Sequence, residues 1–288
     1  MTTFTRFAPS PSGYLHLGHA FSALFAMKIA AVSGGKFFLR IEDIDRDRCR
    51  LNFEKAIYED LKWLGVSWEP EVYRQSERFS VYKEAIQKLD SIGMLYPCFC
   101  SRKEILEEYA NINLAPHLSS QNTNNRIYPG KCRKLNKRTV QKKINNGAEY
   151  SLRLKMDKAI SHCGPLFWYD VKRGPQKAEP ETFGDIVIAR KDIPTSYHLA
   201  VTLDDHAQSI NQVTRGEDLF QATHIHRLLQ CLLKLNSPQY FHHDLIYDSF
   251  GKKFSKRDNS CTLRQLRQEG KSQSHVKELI KIYREVKN

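Results

Sequence analysis

Apolar positions along the chain fall into two α/β stretches separated by a more polar interruption. Thr3–Phe7 reads as a short strand that runs into the turn-rich Ala8-Pro9-Ser10-Pro11-Ser12-Gly13. His19–Ala31 places Ala20, Leu24, Phe25 and Ile29 at helical spacing and is closed by Gly34-Gly35. Lys36–Ile41 is a strand, and Phe53–Leu64 and Glu77–Ile92 return to helical periodicity. Strand, helix, strand with a connecting crossover is the grammar of a parallel sheet in an α/β fold.

After Tyr96 the pattern changes. Ser101–Ala110 has helical spacing, Asn111–Asn125 is a polar loop, and Tyr150–Leu154, Leu166–Val171 and Asp185–Ala189 resemble strands of a smaller inserted unit. Parallel α/β grammar resumes with Tyr197–Leu203, Ser209–Thr214, a helix Phe220–Leu235 and a strand Tyr240–Ile246. From Thr262 the chain is helical and basic. The expected division is residues 1–96 and 191–258 as two halves of one domain, 97–190 as an insertion between them, and 259–288 as a helical tail.

Composition narrows the function classes. Apolar residues at 41% and charged residues at 27% describe a globular chain. No apolar run approaches the ~20 residues of a membrane span, and the start has no secretory signal pattern. Secreted, membrane-spanning and collagen-like chains are excluded on this reading, and a cytoplasmic location is expected. Lys and Arg number 45 against 32 Asp and Glu, a net charge of +13, which favours a polyanionic partner, nucleic acid before an acidic membrane surface. No acid lies between Glu108 and Glu149, where Lys131, Arg133, Lys134, Lys137, Arg138, Lys142 and Lys143 crowd together. A solvated basic loop is the competing account of that run. Of seven cysteines, Cys49, Cys163, Cys231 and Cys261 are scattered and read as small buried hydrophobes in a reducing compartment.

Two segments carry candidate nucleotide chemistry. His16-Leu17-Gly18-His19 sits where the first strand passes into the first helix, and a helix N-terminus attracts phosphate. Gly18 would leave room for close approach, and His16 and His19 can donate to phosphate oxygens. Lys252-Lys253-Phe254-Ser255-Lys256-Arg257 follows the last strand. A glycine-flanked loop carrying Lys253 and Lys256 can neutralise a departing pyrophosphate. Alone, the histidines read as an ordinary core or surface pair, and the lysines equally as an exposed turn or a phosphate loop. In this order, each at a strand end, they point together to a triphosphate site.

With these residues the chain resembles the class I aminoacyl-tRNA synthetases: His16-Leu17-Gly18-His19 is similar to their HIGH motif, and Lys253-Phe254-Ser255-Lys256-Arg257 to their KMSKS motif, with departures at Phe254 and Arg257. Arg6–Gly13 and Arg40-Ile41-Glu42-Asp43-Ile44-Asp45 resemble the glutamyl branch. The resemblance, from about Thr3 to about Arg267, implies a Rossmann-like catalytic domain, a parallel sheet with flanking helices, plus an inserted zinc-binding, acceptor-type subdomain. It assigns glutamate contacts to Arg6, Phe7, Ala8, Pro9, Ser10, Glu42, Tyr197 and Arg215, ATP contacts to His16, Gly18, His19 and Lys256, and catalytic roles to His16, His19, Lys253 and Lys256. The residue types suit the ligand: arginine forks hold carboxylates, and Glu42 can accept from an ammonium. Magnesium is expected with the polyphosphate.

Cys98-Phe99-Cys100 and Tyr128-Pro129-Gly130-Lys131-Cys132 offer three thiols and a phenol in two short pairs. Spacing leaves a metal and buried free thiols equally open; the resemblance implies one structural zinc on Cys98, Cys100, Tyr128 and Cys132, with His117 or His162 as substitutes for Tyr128. A complete glutamyl-tRNA synthetase adds a large helical anticodon-binding domain, whereas about thirty residues follow Arg257 here. The resemblance is therefore to the truncated, tRNA-modifying paralogues of that enzyme, which activate glutamate with ATP without tRNA and esterify the queuosine base at the wobble position of tRNA(Asp). The partners expected are ATP, L-glutamate and a queuosine-bearing anticodon stem-loop, with no membrane and a monomeric chain. Charging of the tRNA 3′ end and a catalytically silent RNA-binding role are the competing expectations.

Overall fold

The computed structural model describes residues 2–101, 103–105, 128–246 and 262–280. The expected helix Ser101–Ala110 and loop Asn111–Asn125, and the segment with Lys253 and Lys256, therefore lie largely or wholly outside the described residues.

Strand β1 (Phe4–Phe7) leads into helix α1 (Leu17–Val32), and β2 (Lys36–Ile41) returns parallel to β1 with Phe4 opposite Lys36. Gly34 has φ +63°, which lets the chain reverse out of α1, and a Cβ on Gly35 would collide with the backbone of Thr3. Helix α2 (Leu51–Trp63) connects to β3 (Tyr73–Arg74), which extends the sheet in the order β1-β2-β3, and helix α3 (Phe79–Ser91) follows. Strands β4 (Leu95–Cys98), β5 (Ser151–Leu154) and β8 (Val187–Ala189) form a separate antiparallel sheet in the order β4-β5-β8.

A four-stranded sheet has the order β7-β6-β10-β9, built from β6 (Phe167–Asp170), β7 (Gly174–Lys177), β9 (Gln212–Gly216) and β10 (Gln239–His243). The segment Leu166–Val171, expected in the inserted unit, thus belongs to the sheet of β9 and β10, where β6 runs parallel to β10. The reason is its inner face: Trp168 and Asp170 are buried and meet β10 through Tyr240 and His242. Strand β9 lies beside β1, with the Asn211 N–H donating to the Phe4 carbonyl at 3.2 Å and the Phe4 N–H to Asn211 Oδ1 at 2.7 Å. From this seam the strand order diverges both ways, the switch point at which open α/β sheets bind ligands.

Helices Tyr197–Ala207 and Ala222–Leu233 pack on the four-stranded sheet through Leu199, Ala200, Ile225, Leu228 and Leu229, in one core with Val213, Tyr240 and Trp168, while Phe21, Leu24 and Phe25 of α1 belong to a second core with Leu39 and Ile41. Asp204, wholly buried, accepts from Gln75 Nε2, Arg78 Nε and Tyr82 Oη at 2.7–2.9 Å and so fastens α3 and the turn before it to helix Tyr197–Ala207. Helix Leu263–Gln268 follows Thr262, and helix Gln273–Ile280 buries Val276 and Ile280 against the α1 core. No described helix is long and apolar enough to cross a membrane. Cys49, Cys163 and Cys231 are half-buried rather than sealed in the core.

Candidate active site

A cavity of about 590 Å³ opens at the C-terminal ends of β1, β2, β9 and β10. Its walls include Arg6, Phe7, Ala8, His16, Gly18, His19, Glu42, Tyr197 and Arg215 from the residues singled out in the sequence, together with Ser22, Asp218 and His243. Pro9 and Ser10 do not line it. The Pro9 carbonyl accepts from the Glu42 N–H at 3.0 Å, and Ser10 Oγ lies 3.7 Å from Cys49 Sγ, so both stand beside the wall.

The histidine wall is built by helix capping. His16 is the N-cap of α1, its Nδ1 accepting from the Gly18 N–H at 3.1 Å, while the His16 N–H donates to His19 Nδ1 at 3.2 Å. This reciprocal pair satisfies two N–H groups that a helix start leaves over. An imidazole whose Nδ1 accepts carries its proton on Nε2, so the cap sets the tautomer of both rings, whose centroids lie 3.8 Å apart. A Cβ on Gly18 would stand 3.0 Å from His16 Cε1 and 3.1 Å from Nδ1. The room Gly18 provides is thus taken up by the His16 ring itself.

Arg215, at the end of β9, is held on three sides. Its Nε donates to His242 Nε2 at 3.1 Å, Nη2 to Thr223 Oγ1 at 2.6 Å, and Nη1 contacts His226 Nδ1 at 3.1 Å. A guanidinium has five N–H groups and only donates, so both imidazoles must accept and two N–H groups remain for a ligand. His242 then keeps its proton on Nδ1 and donates to Asp170 Oδ2 at 2.6 Å; His226 keeps its proton on Nε2, facing His198 Nδ1 at 3.2 Å. Burial, and after it the Arg215 charge, pulls His226 well below the ordinary imidazole value and His198 to about 4. Burial also takes His242 to about 4 despite Asp170. Neutral rings are what an arginine donor requires.

Arg6 and Arg40 share one buried carboxylate. Arg6 Nε and Arg40 Nη2 donate to Asp205 Oδ1 at 2.9 and 2.7 Å, and Arg6 Nη1 also donates to the Thr214 carbonyl at 3.1 Å, across the β1–β9 seam. Burial alone would raise the Asp205 carboxyl; the two guanidinium groups bring it below the usual range instead. Glu42 lies 3.5 Å from Arg40 Nη2, and burial pushes its carboxyl up to about 7 against the pull of Arg40 and Arg6. Arg6, Arg215 and the Glu42 carboxylate therefore face a common space. Asp170, Asp205, His226 and His242 escaped the sequence reading, and Arg40 was quoted there only within a motif, with no role. Their one signal was a charge or imidazole set inside an apolar run, as Arg40 is in Lys36–Ile41.

Both flanks of the segment 247–261 reach this cavity. Ile246 lines it, and Thr262 bridges to His16 while the Leu263 N–H donates to the Leu15 carbonyl at 2.8 Å. Lys253 and Lys256 lie between those flanks, outside the described residues.

In the small sheet, the sulfurs of Cys98, Cys100 and Cys132 all lie within 4.8 Å of one another, among the described residues the one group of three or more thiol, imidazole or carboxylate ligands. Tyr128 Oη is 3.3 Å from both Cys98 Sγ and Cys100 Sγ, and the Phe99 N–H donates to Cys132 Sγ at 3.3 Å. Tetrahedral zinc with Zn–S of ~2.3 Å spaces its sulfurs by roughly 3.8 Å, so this donor set fits a metal of that kind. His162 is not in the group, and His117 lies outside the described residues.

The family profile "tRNA synthetases class I (E and Q), catalytic domain" matches residues 2–282. A Rhodobacter capsulatus protein named glutamyl-Q tRNA(Asp) synthetase is 45% identical over 96% of this chain and 99% of its own length. The glutamate–tRNA ligase of Aquifex aeolicus is 38% identical over 92% of the chain but only 54% of its own length. A crystal structure of a glutamate tRNA ligase from Elizabethkingia meningosepticum, in complex with its amino acid, superposes with a TM-score of 0.75 at 31% identity, covering 90% of this chain and 52% of that one. This chain thus spans about half of those two ligases and nearly all of the Rhodobacter protein. It belongs to the class I tRNA synthetases of the E and Q type, in the branch of the glutamyl-Q tRNA(Asp) synthetases.

Proposed function

We propose that the chain activates L-glutamate with ATP in the absence of RNA and passes the glutamyl group to the queuosine base at the wobble position of tRNA(Asp). The observation that carries this reading is one cavity holding Arg6, Arg215, Glu42 and the two capped histidines together. Arg6 and the two remaining N–H groups of Arg215 take the glutamate carboxylates, Glu42 accepts from the ammonium, and Tyr197 closes that side. The attacking carboxylate oxygen forms a bond to the α-phosphorus of ATP as the bond to the bridging oxygen breaks and pyrophosphate departs. His16 and His19 donate from Nε2 to the phosphates, and Lys253 and Lys256 take up the charge leaving with pyrophosphate. Magnesium accompanies the polyphosphate as counter-ion. A hydroxyl of the queuosine cyclopentene ring then attacks the acyl carbon, the bond from that carbon to the phosphate oxygen breaks, and AMP leaves, its phosphate taking up the hydroxyl proton. Positioning and charge stabilisation suffice, with no covalent enzyme intermediate.

Exchange of labelled pyrophosphate into ATP, dependent on glutamate and independent of RNA, tests the first step; its absence sinks the reading. Alkali-labile glutamate on RNA from queuosine-containing cells but not from queuosine-free cells tests the second. Label on both RNAs would instead favour charging of the 3′ end. The exposed helix Lys137–Asn145, which buries none of its residues, adds cations for RNA phosphates. The working location on this reading is the cytoplasm, where tRNA is modified.

Glu42 sets a pH dependence. Only its ionised form attracts an ammonium, and in the free cavity its carboxyl titrates at about 7. Binding glutamate therefore releases a proton, and KM for glutamate is expected to rise about tenfold per unit as pH falls below about 7, levelling off above it. The same series with Glu42→Gln should be flat and high. A flat profile in the parent chain would remove Glu42 from the ammonium site.

For the small sheet we propose zinc, held by Cys98, Cys100, Cys132 and Tyr128; bound metal supplies a cross-link between β4 and the Tyr128–Cys132 turn. Metal analysis is expected to find about one zinc per chain, falling to near none in Cys132→Ser, with a melting temperature lower by roughly 5 °C. Equal zinc in both proteins would refute the assignment.

A further inference from the structure

Among the described residues, eight large apolar side chains stand exposed, and three of them alternate on one strand and its turn: Phe167 at 60%, Tyr169 at 46% and Val171 at 41%. An apolar strip of that kind on an open sheet face marks a surface that something covers. The partners of these residues across the hairpin are Lys177 opposite Phe167 and Pro175 opposite Tyr169. Trp168 and Asp170 point to the other face, where Trp168 meets Phe220 at 5.0 Å between centroids.

The position of this strip follows from register. Strand β6 runs parallel to β10, so the turn 171–174 lies at the same sheet edge as Gly216 and His243, where the cavity opens. Tyr240 pairs with Asp170, which sets Tyr169 and Val171 on the face of Phe241 and His243. That face is the one α1 covers, through Phe25 against Phe241 at 4.8 Å and Phe21 against His243 at 4.7 Å. The exposed aromatics thus continue the surface that carries His16 and His19 at the start of α1. Two ion pairs tie the turn to the cavity rim: Lys172 Nζ to Asp244 at 2.7 Å and Arg173 Nη2 to Glu217 at 3.4 Å.

We propose that the outer face of the β6–β7 hairpin is the docking strip for unpaired nucleotides of the RNA acceptor. Bases stack on Phe167 and Tyr169, and Lys177, with the flanking Lys172 and Arg173, meets the phosphates. Charge complementarity chooses RNA over a protein partner: the hairpin carries three cations and one acid, Asp170, which is buried and committed to His242; Lys172 and Arg173 meet Asp244 and Glu217 at the turn, and Lys177 stands exposed opposite Phe167. Aromatic faces interleaved with cations are the usual platform for single-stranded nucleic acid. The inference rests on the reading that the glutamyl acceptor is an RNA loop.

The test uses the full chain, a synthetic anticodon stem-loop RNA of tRNA(Asp) and a fully paired RNA duplex, with affinity read by fluorescence anisotropy. Phe167→Ser with Tyr169→Ser is expected to weaken stem-loop binding about tenfold or more and leave duplex binding within about twofold. Phe167→Trp with Tyr169→Trp should keep stem-loop affinity, and Lys177→Gln should lower the salt slope by about one. Glutamate-dependent exchange should stay within about twofold throughout, because none of these side chains lines the cavity. Stem-loop affinity unchanged in the double serine variant overturns the proposal, as does exchange lost in parallel with binding, which would make the strand structural. A change in sedimentation with RNA affinity intact marks a protein interface and also overturns it. Should the parent bind RNA with these sensitivities yet transfer no glutamate, the acceptor reading fails while the strip stands.

Discussion

Arg215→Ala is expected to lower kcat/KM for glutamate in pyrophosphate exchange by roughly two to three orders of magnitude. Truncating one member of a buried, hydrogen-bonded charged network costs about 2–5 kcal/mol, and a factor of ten is about 1.4 kcal/mol. Two losses combine. The carboxylate fork disappears, and His226 Nδ1 and His242 Nε2 lose the donor that fills them. Each buried acceptor left unpaired costs about 1–3 kcal/mol of stability, so the variant should also melt earlier. Assays well below its melting temperature separate the two effects. Arg215→Lys should rescue little, since an ammonium cannot serve His242, Thr223, His226 and a carboxylate from one plane. The supporting contacts predict a graded series: in Asp170→Asn the amide oxygen stays with the Lys172 and Arg173 N–H groups and the NH2 turns to His242 Nδ1, which disfavours the His242 tautomer that accepts from Arg215 and should raise KM for glutamate with kcat nearly unchanged. Near-parental kcat/KM in Arg215→Ala would dismiss Arg215 as a glutamate ligand.

His19→Ala is expected to act on the other half of the reaction, lowering kcat for exchange about 10²–10³-fold while KM for glutamate changes little. That is the usual cost of removing one preorganised donor from a site of developing charge. His19 also accepts the His16 N–H, so its loss opens the reciprocal cap of α1 at about 1 kcal/mol. Lys256→Ala should lower kcat in the same direction, and the fold should be unaffected. If either variant instead raises KM for glutamate with kcat intact, the division of the cavity into an amino-acid half and a phosphate half is mistaken.

The two halves differ in how readable they were. His16, Gly18 and His19 fall within four residues, and local rules about helix starts and glycine made them candidates, but only with the lysine segment far downstream did they point to a triphosphate. Even there, the sequence assigned the space at Gly18 to a phosphate, whereas the His16 ring lies over it. The three thiols and Tyr128 were legible as two short clusters, and β4 with the Tyr128–Cys132 turn brings them together. Arg6, Glu42 and Arg215 were named through resemblance, but nothing local told what holds them. Asp205 meets Arg6 from 199 positions away, and Asp170 meets His242 from 72. Strand β6 was expected in the inserted unit for the same reason: the apolar and aromatic run Leu166–Val171 reads as a strand, and such a run carries no information about which strand lies alongside.

What the amino-acid order established alone was local: the α/β grammar of the first strand, helix and strand, the two histidines where that strand passes into α1, the thiol pairs and the strong positive charge. These depend on periodicity, backbone preference and composition, which act over a few residues or sum over all of them. The pairing of strands and the companions of each buried charge waited on the folded chain. They are set by contacts between distant segments, where burial takes water from a charged group and makes its neighbours decide its protonation. That is why Glu42 titrates near 7 and why the imidazoles around Arg215 stay neutral, properties that belong to the closed packing of this cavity rather than to the residue types that line it.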